Sequence, residues 1–191
     1  DDSGVWKSTE GNIVFGHQRL SIIDTSSAGH QPMEIDSHVI TFNGEIYNYL
    51  EIGAELKAAG VELETSSDTE VLLKAYQTWG DEALGKLNGM FAFAIYDANQ
   101  HRLFCARDRF GEKPFLFHSS DECFAFASEY KALLALNNID SAYDQDRILR
   151  FLYHPTRGLD DDIQTVFNDI KQLPPGHSLT LDCNSLDYQI Q

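Results

Sequence analysis

Cationic residues are scarce. In 191 residues, 14 Lys plus Arg stand against 30 Asp plus Glu, a formal net charge of −16. Such a surface repels phosphodiester backbones and anionic lipid, so nucleic acid and membrane surfaces are excluded as expected partners. Long apolar runs are missing too. Stretches such as Met90 to Tyr96 fall far below the ~20 residues of a spanning helix, and no basic-then-apolar leader opens the chain. Cysteine is rare. Cys105, Cys123 and Cys183 are an odd set without a C-x-x-C pair, which excludes a disulfide framework and predicts a reducing, cytoplasmic setting. The seven histidines never recur at i, i+4, so no helix-borne metal pair is expected.

What is present is a core. With 42% hydrophobic residues, a chain of this length buries roughly 70% of the surface its unfolded form exposes. No repeat, low-complexity tract or linker interrupts it, which predicts a single domain over 1–191. The opening Asp1-Asp2-Ser3-Gly4 reads as the middle of a loop and predicts an N-terminus made by cleavage or truncation.

Ile13 to Phe15, the stretch through Leu20, Ile22 and Ile23, and Val39 to Phe42 have strand composition. After Asn43-Gly44-Glu45 the period changes. Asn48 and Glu51 open a helix that Gly60 stops. Ser67 and Glu70 form a capping box ahead of a second helix with an apolar stripe of Val71, Leu72, Ala75, Tyr76 and Trp79, stopped at Gly80. From Met90 the pattern turns to an antiparallel meander over Met90 to Tyr96, Arg102 to Ala106, Pro114 to Phe117 and Cys123 to Ala127, with turns at Asp97-Ala98-Asn99 and Phe110-Gly111. A last strand falls near Leu179 to Asp182. Met90 to Tyr96 is apolar on both faces, so its sheet needs a layer on each side. That predicts an α+β, four-layer α-β-β-α sandwich.

Chemistry concentrates in GHQRLSIID (16–24), FNGEIYN (42–48) and SSDTE (66–70). Arg19, between apolar strand residues, suits either a clamp on a carboxylate or an ion pair with Asp24. Asn43-Gly44 suits a hairpin turn or an oxyanion hole built from the Asn43 amide and the Gly44 N–H. Glu45 is an acid that no hairpin requires. Asp68 in a first helical turn gains about 0.3 to 1 kcal/mol from the helix dipole alone; it becomes an ammonium ligand only if Arg19 holds a carboxylate nearby. Ala106-Arg107-Asp108-Arg109-Phe110-Gly111-Glu112-Lys113-Pro114 carries five charges between two strands and reads equally as an internal network, an interface or a solvated turn.

Taken in order, GHQRLSIID, AGHQPM, TFNGEIYNY, SSDTEV, LNGMFAFAIYD, ARDRFGEKP, FASEYKALLAL and LPPGH resemble the class II glutamine amidotransferase domain, most closely the N-terminal domain of glutamine-hydrolysing asparagine synthetases. They cover the chain to about His177. The resemblance implies an N-terminal-nucleophile hydrolase fold, here without its first strand, and release of ammonia from glutamine by an N-terminal Cys. It further implies that Arg19 holds the glutamine α-carboxylate, with main-chain contacts from Leu20, Ser21, Ile22 and Ile23. Asn43 and Gly44 become the oxyanion hole, while Glu45 and Asp68 take the α-amino end.

The family's Met-Cys-Gly start is not in this sequence, and none of the three cysteines substitutes for it, because an internal Cys has no free amine. Loss of a nucleophile removes turnover by about a millionfold, so the chain alone is expected to be inactive. No Gly-rich phosphate loop occurs either. No cofactor is expected for this domain; ATP and Mg belong to a synthetase domain of the parent protein, which is the expected partner. The parent is expected to make asparagine from aspartate. A different acceptor, or a non-catalytic domain that binds glutamine or a partner, are the alternatives, and a homodimer is left open.

Overall fold

The computed structural model describes residues 2–19, 29–154 and 163–191. The chain divides into two compact units, Asp1–His101 and Arg102–Gln191. Antiparallel strands and helices build both.

In the first unit, β1 (Asp2–Lys7) pairs antiparallel with β2 (Val14–Arg19). The opening residues are thus strand rather than the loop expected of Asp1-Asp2-Ser3-Gly4. Pairing with β2 overrides their turn-forming composition, and Gly4 is needed because a Cβ there would collide with the Gln31 carbonyl and the His30 ring. The expected strand through Leu20, Ile22 and Ile23 lies outside the described residues. β3 (Met33–Ile35), β4 (His38–Ile46) and β5 (Gly89–Asp97) form an antiparallel ladder in that order. β5 is buried from Phe91 through Asp97, as its two apolar faces require. At its end Asp97 makes the expected turn, its Oδ1 accepting from the N–H of Asn99 at 2.8 Å and of Gln100 at 3.2 Å.

α1 (Tyr49–Ala58) and α2 (Asp68–Trp79) cover one face of this ladder. His38 meets Tyr76 of α2 edge-on, and Gln77 donates to the Ile35 carbonyl at 3.0 Å. Ile40, Ile46, Ile52, Leu56, Leu72 and Leu73 are fully buried; each contributes roughly 1.5–3 kcal/mol of apolar burial. The hairpin β1–β2 lies on the opposite face, where Trp6 packs against Phe15 and Tyr96 and donates Nε1–H to Glu34 at 2.9 Å.

Both expected helix starts are right in place and differ in chemistry. Asn48 makes no side-chain cap on α1; it donates to the Lys86 carbonyl and accepts from the Asn88 N–H, both at 2.9 Å. Ser67 does cap α2, accepting from Thr69 N–H at 3.2 Å. Glu70 leaves the box to accept from Glu64 and Thr65 N–H groups at 2.7 and 2.6 Å, because that preceding loop has backbone donors of its own to satisfy.

In the second unit, β6 (Arg102–Arg107) pairs with β10 (Ser178–Asp182), which pairs with β11 (Tyr188–Ile190). The last expected strand therefore has a successor. β7 (Leu116–Ser119) is flanked by β8 (Phe124–Ala127) and β9 (Lys171–Gln172). The expected meander is broken between β6 and β7: β7 pairs with β8 and β9 instead of β6. The reason is the charged segment between them, which folds back on itself. Arg107 Nε and Nη2 donate to the carbonyls of Lys113 and Gly111 at 2.8 and 2.9 Å, and Nη1 to that of Leu173 at 2.9 Å. Asp108 accepts from Phe110, Glu112 and Lys113 N–H groups at 3.0, 3.0 and 3.1 Å. Both side chains are buried. The internal-network reading holds for this pair, while Phe110 stands 85% exposed at the turn.

Candidate active site

The core of the site is one edge of β4. Tyr47 N–H continues the ladder to β5 by donating to the Asn88 carbonyl at 2.8 Å, so odd-numbered N–H groups of β4 face β5 and even-numbered ones face away. β3 covers this outer edge only opposite His38 to Ile40. Beyond it, side chains take over. Phe42 N–H donates to Gln31 Oε1 at 2.7 Å, and Ile46 N–H donates to Asp68 Oδ2 at 3.1 Å. The alternation puts the Gly44 N–H on the same edge, between these two anchors.

Asn43-Gly44 is therefore mid-strand, paired with Ala92 and Phe91, and the hairpin-turn reading is excluded. Gly44 sits at φ 148° against β5, where a Cβ would collide with the Met90 carbonyl oxygen. Only glycine fits, and the backbone gains an exposed donor without a side chain over it.

Asp68 is the first residue of α2 and is 6% exposed. Burial is the main reason its carboxyl is held above the ordinary aspartate range; hydrogen bonds from Ile46, Thr69 and its own N–H oppose this, and the charge of Glu45 adds to it. At the Ile46 end of the edge the buried Asp68 carboxyl is thus held by backbone donors, with the charge of Glu45 near enough to be felt.

Side chains of Thr41, Asn43 and Glu45 share one face of β4 by alternation. His17 Nδ1 lies 3.1 Å from Thr41 Oγ1, and Val39, on the same face, pairs with Tyr96 against Trp6. This face turns toward the β1–β2 hairpin, whose last residue is Arg19. The Arg19 guanidinium lies against Gly29, where a Cβ would overlap it. Burial, then the charges of Arg19 and His30, push the His17 imidazole below its ordinary range. Asp2 is held down chiefly by its hydrogen bond from His30, with Arg19 adding to the effect.

The structure thus joins Arg19 to β4 through His17 and Thr41, and Asp68 with Glu45 to its far end; Asn43 and Gly44 lie between. Leu20, Ser21, Ile22 and Ile23, and Asp24 as the alternative partner of Arg19, lie outside the described residues. Gln31 and Thr41 have places in this edge that the sequence did not reveal. Gln31 carries no periodicity signal, and only the alternation Thr41, Asn43, Glu45 on an identified strand could have found Thr41.

All three cysteines belong to the second unit. Cys105 is fully buried in β6 and its thiol is pushed well up by that burial. Cys183, just after β10 rather than within a strand, is pushed up to about 11 by burial and then by Asp182. Cys123, directly before β8, accepts from Asn138 at 2.9 Å. Cys105 and Cys183 are therefore neutral thiols at physiological pH. Among the described residues, no cluster of three His, Cys, Asp or Glu could hold a metal ion, and no helix is long and apolar enough to cross a membrane.

A family model described as a glutamine amidotransferase domain matches residues 1–189. The chain belongs to this family. It is 40% identical over 192 residues to asparagine synthetase [glutamine-hydrolyzing] 3 of Bacillus subtilis (strain 168), covering 98% of this chain and 30% of that protein. It is 38% identical over 165 residues to asparagine synthetase B [glutamine-hydrolyzing] of Escherichia coli (strain K12), covering 81% of this chain and 29% of that protein. The amidotransferase domain described here thus spans under a third of the length of these curated relatives. Among solved structures, a glutamine phosphoribosylpyrophosphate amidotransferase from B. subtilis, complexed with ADP and GMP, superimposes with a TM-score of 0.60 at 20% identity. It covers 92% of this chain and 34% of that one. At that identity the likeness speaks for the fold.

Proposed function

We propose that this domain binds glutamine along the outer edge of β4 and polarises its side-chain amide for hydrolysis to glutamate and ammonia. Arg19 takes the α-carboxylate, Asp68 and Glu45 take the α-ammonium, and the Gly44 N–H with the Asn43 amide faces the side-chain carbonyl oxygen. The observation that carries this reading is the strand edge itself. It presents an N–H at Gly44 between two anchored neighbours, next to the buried Asp68 carboxyl, whose desolvation an ammonium offsets. In a water-excluded site each oxyanion donor is worth about 3 kcal/mol in the transition state. The same reading includes the layered N-terminal-nucleophile fold and main-chain contacts to glutamine from residues 20–23.

The attacking thiol is not supplied by Cys105, Cys123 or Cys183, because an internal cysteine lacks the free amine that serves as base. Glutamine binding along the β4 edge does not depend on that thiol. In a longer protein of the kind its relatives represent, the ammonia would pass to an ATP- and Mg-dependent synthetase domain that amidates aspartate. Calorimetric titration with glutamine tests the reading: one saturable site is expected, and Arg19→Ala weakens it about 100-fold. No binding by the unaltered chain overturns it.

A further inference from the structure

The proposed site leaves one buried polar group without a role. Gln31 is 6% exposed, and no packing need explains a carboxamide there. Its Oε1 accepts from Phe42 N–H at 2.7 Å, and its Nε2 donates to Thr69 Oγ1 at 3.3 Å. Phe42 is the outward-facing donor immediately before Gly44 on the edge of β4; Thr69 follows Asp68 in α2 and is 3% exposed. One side chain therefore spans from the strand that carries the amide-facing donor to the helix that carries the ammonium-facing acid.

At the other end of the same edge, Asp68 Oδ2 already holds Ile46 N–H at 3.1 Å. Strand and helix are thus cross-braced twice, with the Gly44 N–H between the braces. The Asp68 brace will loosen its grip on the strand as it engages a cation, since its carboxylate then serves two partners. The Gln31 brace is neutral, does not titrate, and is buried where water cannot compete for its bonds.

We propose that Gln31 is a positioning residue that fixes the Gly44 donor relative to Asp68, so that the domain discriminates glutamine from α-amino acids lacking the side-chain amide. This rests on the glutamine-site reading above. Losing the tie lets the edge of β4 drift by tenths of an ångström, enough to misalign an N–H donor but not to release the charged end of the ligand.

The test uses Gln31→Met, which keeps shape and loses both bonds, and Thr69→Val, which removes only the helix-side acceptor. In the ligand-free protein, amide exchange at Ile46, whose N–H is bonded to Asp68 at the far end of this edge, should quicken about tenfold in Gln31→Met while the slowest core amides keep their rates. With ligands, the unaltered chain should prefer glutamine over norvaline. In Gln31→Met that preference should fall to within about twofold, while norvaline affinity changes less than about threefold. Thr69→Val should fall between, and the double variant should be no worse than Gln31→Met.

Unchanged Ile46 exchange, or equal losses for glutamine and norvaline, overturns the proposal. Should Gln31→Met fail to fold, Thr69→Val makes the same comparison with the Phe42 bond intact. Should the unaltered chain bind neither amino acid, the glutamine-site reading fails, and Ile46 exchange still decides whether Gln31 braces this edge.

Discussion

Two buried aspartates on opposite sides of this chain's midpoint teach how to tell a structural charge from a functional one. Asp108 accepts three backbone N–H groups, and its neighbour Arg107 donates to three carbonyls. Each charge there is spent on backbone groups, those of its own segment and the Leu173 carbonyl. Asp68 is also buried and also accepts backbone N–H groups, yet burial holds its carboxyl above the ordinary range, with the charge of Glu45 adding to it. Burying an acid beside another acid is unfavourable for the free protein, and such placements are characteristic of binding sites.

The largest expected effect breaks the structural side of the comparison. Asp108→Ala leaves three donors without their acceptor and should cost about 3–5 kcal/mol of unfolding free energy, read from denaturant midpoints. Next, Arg19→Ala should weaken glutamine binding about 100-fold, or about 2.7 kcal/mol, with stability within about 1 kcal/mol of the unaltered chain. Asp68→Asn should lower glutamine affinity about tenfold and leave stability equal or higher, since the amide oxygen still accepts from Ile46 and the buried charge is gone.

The smallest effect is a pH dependence. Because the folded Asp68 carboxyl titrates above the ordinary value of 3.8, the fold binds that proton more tightly than the unfolded chain. Its contribution to stability is therefore fully present below the unfolded value and lost as pH rises through the folded one. Ligand binding runs the other way. Glutamine affinity should fall as pH drops through the raised Asp68 value, and this limb should disappear in Asp68→Asn, as followed by calorimetry across acidic pH.

Much of this was legible in the sequence for a physical reason. α2 announces itself through Ser67, a regular apolar stripe and Gly80, and β5 through a run apolar on both faces, because burial writes its period directly into residue order. The family resemblance implied roles for Arg19, Asn43, Gly44, Glu45 and Asp68, which the binding experiments above put to the test. What stayed hidden depends on partners distant in the chain. The opening residues form a strand only because β2 lies beside them, Asn43-Gly44 looks like a turn until Met90 is seen against it, and Gln31 becomes meaningful only between Phe42 and Thr69. Glu70 satisfies the capping-box pattern and then bonds elsewhere, since a pattern states what a side chain can reach and not which donor competes best.

The most direct test of the central claim is a double-mutant cycle between protein and ligand, measured by calorimetry. Glutamine and its α-methyl ester are titrated into the unaltered chain and into Arg19→Ala. If Arg19 grips the α-carboxylate, the ester should bind the unaltered chain far more weakly than glutamine, and the two should bind Arg19→Ala equally. An ester penalty of the same size in both proteins would show that the carboxylate is held elsewhere and contradict the site.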